Sequence, residues 1–190
     1  MRIGLLGGSF DPPHTGHLLA AGDAFDALGL DRLLFIPAAI QPLKAGQARA
    51  SGDQRLAMVR LLVADDERFG VDSVEIDRGG LSYTVDTLTA LSARWPAAEL
   101  FWLVGADVLE SFANWREPER IVQLATVVVL QRTGDAPDLA QMPGAARLLA
   151  TRRIDISSTE IRQRVRDGKS IRGFVPDAVA DFIAAERLYR

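Results

Sequence analysis

The chain holds two histidines, His14 and His17, and both close the run Gly7-Gly8-Ser9-Phe10-Asp11-Pro12-Pro13-His14-Thr15-Gly16-His17. Glycines let a backbone turn tightly and approach a ligand. Prolines stiffen the turn and donate no N–H, and Thr15 is a fair N-cap for a helix beginning at Gly16. At a helix start the first amides have no partners and the dipole is positive, so an anion is favoured there. Two imidazoles beside it can donate to phosphate oxygens or share a proton. The run therefore points to phosphate chemistry. Taken singly, either histidine is equally an ordinary turn or helix residue. A zinc site would need the i,i+4 pair of the zincin helix, a cysteine or a third histidine, and the sequence has none of these. Gly4, Gly7 and Gly8 do not have the spacing of the dinucleotide-binding G-x-G-x-x-G.

A second cluster is Ile156-Ser157-Ser158-Thr159-Glu160-Ile161-Arg162. Ser157 and Glu160 fit a capping box, which alone accounts for an S-x-x-E. A cap does not require the extra hydroxyls of Ser158 and Thr159 or a guanidinium one turn on, and together these suit a polyphosphate. Gly168-Lys169-Ser170 imitates the end of a phosphate-binding loop, but Gln163 stands where its first glycine belongs, so it reads as a helix stop and an exposed lysine.

These clusters need elements to carry them. Short apolar runs alternate with segments of helical period, the signature of an α/β fold with right-handed crossovers and a parallel sheet. Strands are expected at Arg2 to Gly7, Leu33 to Ile36, Val71 to Ile76, Leu100 to Val104, Thr126 to Leu130 and Arg147 to Thr151. Helices are expected at Gly16 to Leu28, around Leu56 to Val63, and at Val85 to Trp95, Pro118 to Leu124, Ser158 to Arg166 and Pro176 to about Leu188. A loop of about fifteen residues follows Pro37, and such a loop is usually functional or mobile. Arg132 to Ala145 reads as a surface loop. In such a sheet ligands bind beyond the carboxyl ends of the strands, so the loops after Gly7, Ile36 and Val104 should meet in one cleft. The length suits one domain, 1–190, with a Rossmann-like core over 1–150 and C-terminal helices over 151–190.

Composition narrows the partners. A net charge of −3 gives no general attraction to nucleic acid, and the absence of cysteine removes disulfides and thiolate chemistry and fits the cytoplasm. No window approaches the ~18 uninterrupted apolar residues of a membrane span, and the first residues are too short an apolar run for a signal peptide.

Gly8-Ser9-Phe10-Asp11-Pro12 with His14 and Gly16-His17, joined to the Ile156-to-Arg162 cluster, resembles the nucleotidylyltransferases of the HxGH type. Within them the chain is similar to the bacterial nicotinate-mononucleotide adenylyltransferases over essentially its whole length. The resemblance implies a Rossmann-like doubly wound sheet and adenylyl transfer from ATP, with Mg²⁺, to nicotinate mononucleotide in NAD biosynthesis. By the family's pattern His14, His17 and Arg162 are catalytic. Gly7, Gly8, Ser9, Phe10, Lys44 and Gly105 would lie along the ATP together with Ile156, Ser157 and Ser158. The acceptor would meet Ser9, Lys44, Tyr83, Thr84, Asp107, Trp115 and Arg116. The helix start at Tyr83-Thr84 suits a carboxylate better than an amide NH₂, and Trp115 suits a pyridine face, although a core aromatic would look the same. Many relatives carry Pro-His-Lys or Pro-His-Arg where this chain has Pro42-Leu43-Lys44, so an imidazole is missing there. Arg116 likewise replaces an aromatic residue. A sister adenylyl- or cytidylyltransferase, such as phosphopantetheine adenylyltransferase, and a silent nucleotide-binding regulator are the alternatives. The first would typically lack the Tyr83-to-Thr87 pattern and the second would not need both histidines.

Overall fold

Side chains alternate across a strand, and here both sets are apolar, so each central strand is buried on both faces. Ile3, Leu5, Leu34, Ile36, Trp102 and Val104 face one core, while Leu6, Leu33, Phe35, Phe101 and Leu103 face the other. The computed structural model describes residues 1–42, 48–132 and 146–190, the side chains of Asp107, Leu109, Glu110 and Arg132 excepted. Six parallel strands run in the order β3-β2-β1-β4-β5-β6. They are β1 (Arg2–Gly8), β2 (Arg32–Pro37), β3 (Phe69–Val71), β4 (Glu99–Gly105), β5 (Thr126–Arg132) and β6 (Arg147–Thr151). The chain leaves β1 towards β2 and β3, then crosses to β4 on the other side of β1. That reversal opens a crevice at the carboxyl ends of β1 and β4.

One face is covered by α1 (Thr15–Leu28), α2 (Gly52–Val63) and α8 (Asp177–Ala185), through Ala21, Ala24, Met58, Val59, Val179 and Ile183. Ile161 of α7 (Ser158–Arg166) joins the same core. The other face is covered by α4 (Thr84–Arg94) and α6 (Pro118–Leu124), through Val85, Leu88, Leu91 and Ile121. The short helices α3 (Val74–Arg78) and α5 (Leu109–Phe112) complete the helices among the described residues, with a 3₁₀ turn at Ala106–Val108. No helix among the described residues is long and apolar enough to cross a membrane.

Three expectations change. The strand expected over Val71 to Ile76 stops at Val71, because Asp72 Oδ1 accepts the Val74 N–H at 3.0 Å and bends the chain into α3. The N-cap of α1 is His14, and Thr15 is already helical. The last helix ends at Ala185, short of Leu188, and Arg187 and Tyr189 take left-handed φ of 53° and 65°. Of the loop expected over Arg132 to Ala145, residues 133–145 lie outside the described residues.

Candidate active site

Beyond β1 the backbone turns at Phe10, in the left-handed region at φ 49°. Its buried ring wedges between Phe35, 5.8 Å away, and the edge of the His17 ring, 5.1 Å away. His14 is extended at the head of α1, and its N–H donates to His17 Nδ1 at 3.1 Å. The two imidazoles stack with centroids 3.7 Å apart. Because Nδ1 of His17 accepts, the proton of the neutral ring sits on Nε2, which remains a donor. Burial, and secondly the His14 ring beside it, hold His17 well below the ordinary histidine pKa. Gly16 is required by closeness: a Cβ there would lie 2.9 Å from His14 Nδ1.

The C-terminal cluster docks against this turn. Ser157 caps α7 by accepting the Glu160 N–H at 3.1 Å, the serine half of the expected capping box. Ser158 Oγ donates to the Pro12 carbonyl at 2.8 Å, and Arg162 Nη1 donates to the Asp11 carbonyl at 2.7 Å. Arg162 Nη2 also reaches Thr159 Oγ1 at 3.1 Å. Residues about 150 positions apart in sequence thus meet at one turn. Ile156, partly buried, packs against the hydrophobic core just before α7.

A buried polar frame beneath the turn was not picked out from the sequence. Asp11 Oδ1 accepts the Tyr189 hydroxyl at 2.7 Å and the Ala50 N–H at 3.1 Å, and Oδ2 accepts the Arg49 N–H at 2.8 Å. Arg55, 2% exposed, donates through Nη1 to the carbonyls of Ser9 (2.8 Å) and Ala38 (2.6 Å) and through Nη2 to Ala39 (3.0 Å). It ties the exits of β1 and β2 together. Burial draws the Arg55 pKa down while Asp11 opposes it, and burial beside Asp11 pushes the Tyr189 hydroxyl far up, so it stays a donor. The readable signal was an arginine set within the apolar face of a helix, next to Leu56, Met58 and Val59.

Next to the turn lies a cavity of about 200 Å³ at the carboxyl ends of β1 and β4, where the crevice was expected. Gly7 and Gly8 form its edge, and a Cβ on Gly7 would stand 2.8 Å from Cη2 of Trp102, so only glycine lets that indole close the floor. Tyr83 and Thr84 line it from the start of α4, where the amides of Thr84 and Val85 have no backbone acceptor among the described residues. Trp115 lines it too, tilted on Phe112 at 5.0 Å. Arg116 lies over the Tyr83 ring at 5.0 Å with Asp86 3.4 Å from its Nη1. Gly105 completes the wall. His14, His17, Ser158 and Arg162 are not among its lining residues. They stand across the Gly8-to-Phe10 turn, where Ser9 Oγ donates to Gln41 Oε1 at 2.6 Å. Two compartments therefore share that turn, one cationic and hydrogen-bonding, the other aromatic with free helix amides. Lys44 lies outside the described residues, as does the side chain of Asp107. Among the described residues no three His, Asp or Glu side chains converge on a metal position.

Residues 5–164 match the model of the cytidylyltransferase-like family. A protein of Gemmatimonas aurantiaca named as a probable nicotinate-nucleotide adenylyltransferase is 53% identical, covering 100% of this chain and 93% of its own length. One of Thermus thermophilus with the same name is 47% identical with both chains fully covered. Among solved structures, the Plasmodium falciparum nicotinic acid mononucleotide adenylyltransferase complexed with NaAD superposes with a TM-score of 0.82 at 18% identity, covering 99% of this chain and 97% of that one. Its complex with APC gives 0.79.

Proposed function

This chain belongs to the cytidylyltransferase-like family and, within it, to the nicotinate-nucleotide adenylyltransferases; from that premise we propose how its two compartments divide the reaction. The enzyme joins ATP and nicotinate mononucleotide to give nicotinate adenine dinucleotide and pyrophosphate, a step of NAD biosynthesis. A phosphate oxygen of the mononucleotide forms a bond to the α-phosphorus of ATP, and the bond from that phosphorus to the pyrophosphate oxygen breaks. Such a transfer asks the protein mainly for in-line positioning and charge stabilisation.

ATP lies on the compartment made by Gly7, Gly8, Ser9 and Phe10 with the two imidazoles and the start of α7. Nε2–H of His17, the His14 ring and the free donors of Arg162 stabilise charge on the transferring phosphoryl group. Ser158 and Arg162 hold α7, capped by Ser157, against the turn, and the segment 151–190 thereby completes the ATP site. Lys44, on the loop after β2, is assigned to phosphate. The mononucleotide enters the aromatic cavity, with its pyridine between Tyr83 and Trp115 and its carboxylate on the amides of Thr84 and Val85. Gly105 and Asp107 are assigned to its ribose, and Arg116 contributes its backbone while its side chain packs on Tyr83. Enzymes of this kind use a divalent ion with ATP, and we assign Mg²⁺, which travels on the triphosphate oxygens.

The observation that carries this reading is the docking of α7 on the histidine turn through Ser158 and Pro12 and through Arg162 and Asp11. Purified protein with ATP, Mg²⁺ and nicotinate mononucleotide should release pyrophosphate. With the amide mononucleotide or phosphopantetheine the rate should fall by at least about 10²-fold, from the upper end of the ~1–3 kcal/mol cost of an unmatched buried polar group. Equal turnover of the amide contradicts the carboxylate assignment.

A further inference from the structure

One carboxyl in the cavity wall has no part in the chemistry above. Glu75, on α3, is 4% exposed yet lines the cavity beside Ser82, Tyr83 and Thr84. Its Oε1 accepts the Thr87 hydroxyl at 2.6 Å. Thr87 is fully buried in the first turn of α4, and its Oγ also lies 3.3 Å from the Tyr83 carbonyl and receives Arg78 Nη2 at 3.1 Å. Ser82 Oγ accepts the Ala39 N–H at 2.9 Å, and the Ser82 N–H donates to the Ile40 carbonyl at 2.9 Å. The Glu75 carboxyl therefore ties α3 to the first turn of α4, while the neighbouring Ser82 ties the loop before α4 to the exit of β2. An apolar residue of the same size would fill the space but not accept the Thr87 hydroxyl, leaving a buried donor to turn elsewhere.

We propose that Glu75 is a positioning residue of the acceptor subsite: through the Thr87 hydroxyl it holds the start of α4 so that the amides of Thr84 and Val85 face the acceptor's carboxylate. This rests on the assignment of that carboxylate to α4. The imidazoles, Ser158 and Arg162 stand across the Gly8-to-Phe10 turn and do not line the cavity that Glu75 borders, so loss of Glu75 acts mainly on one substrate. An aliphatic filler in the core would affect both substrates or neither.

The test is steady-state kinetics with each substrate varied in turn, on the wild type and on Glu75→Ala, Glu75→Gln and Thr87→Val. Glu75→Ala should raise the KM for nicotinate mononucleotide at least ~10-fold, with the KM for ATP and kcat at saturating acceptor within ~3-fold, the pattern of lost uniform binding. Glu75→Gln, whose amide oxygen still accepts from Thr87, should restore most of the acceptor affinity. Thr87→Val keeps the shape without the hydroxyl and should reproduce the shift, and combining it with Glu75→Ala should add little, as for two members of one network. If Glu75→Ala does not fold, Thr87→Val carries the same comparison. An unchanged acceptor KM in Thr87→Val, or equal increases in both KM values, overturns the proposal. Failure of the wild type to use nicotinate mononucleotide overturns instead the acceptor assignment beneath it.

Discussion

Gly16→Ala separates the position of His14 from the stability of the fold. Gly16 is the second residue of α1, and an added Cβ would stand 2.9 Å from Nδ1 and 3.0 Å from Cε1 of the His14 ring. Ordinary contact between such atoms begins near ~3.5 Å, so the ring must give by about 0.5 Å. It cannot swing freely, since it is buried and its face is stacked on His17. A displacement of ~1 Å at a catalytic group costs about 10²-fold, so half that distance should lower kcat about 10-fold. Stability should move little, because alanine is favoured over glycine in a helix by up to ~1 kcal/mol and offsets the strain. For a chain of this length ~1 kcal/mol corresponds to about 2–4 °C in Tm. The assay is pyrophosphate release at saturating substrates beside a thermal melt of the same sample. Full kcat with an unaltered Tm would refute the placement of His14 at the reacting phosphate. A Tm lower by more than ~10 °C, far beyond that offset, would show instead that the glycine serves the fold.

Further outcomes follow from the same geometry. His14→Ala should lower kcat by at least ~10²-fold with the fold intact by circular dichroism, the scale of losing one transition-state donor. Tyr189→Phe deletes the hydroxyl that donates to buried Asp11, and a bond to a charged partner of this kind is worth ~2 kcal/mol, so the melt should move down by roughly 4–8 °C. The pH dependence of stability carries a sign fixed by His17. Its folded pKa lies well below 6.5, so between that value and 6.5 the unfolded chain binds a proton that the native chain refuses, and stability falls as the pH drops through this window. His17→Gln should flatten that slope in urea titrations at pH 5 to 7, and an equal slope in both proteins would remove His17 as its source.

The strands were legible in the sequence because burial on both faces writes them as uninterrupted apolar runs, and glycine punctuated the first of them. The stretch from Val71 to Ile76 misled because alternation cannot show that Asp72 turns its carboxylate back on the Val74 amide. Similarly, Pro176 to Leu188 keeps its apolar period past the point where left-handed residues end the helix. The histidine turn and the serine cluster could be read because rare residue types coincided with a strand-to-helix junction and a helix start. Their mutual docking could not, since it runs through the carbonyls of Asp11 and Pro12, which carry no residue signature. Asp11, Arg55 and Tyr189 stayed hidden for a related reason. Each acts through backbone amides or carbonyls, or through another buried side chain far away in the chain, and no spacing rule links such positions.

The most direct measurement is a crystal structure of this protein with nicotinate adenine dinucleotide bound. The account predicts phosphate oxygens within ~3 Å of an imidazole nitrogen and of the Arg162 guanidinium, with the pyridine carboxylate at hydrogen-bond distance from the Thr84 and Val85 amides. A dinucleotide whose phosphates avoid the histidine turn, or whose pyridine lies outside the Tyr83 and Trp115 cavity, would contradict it.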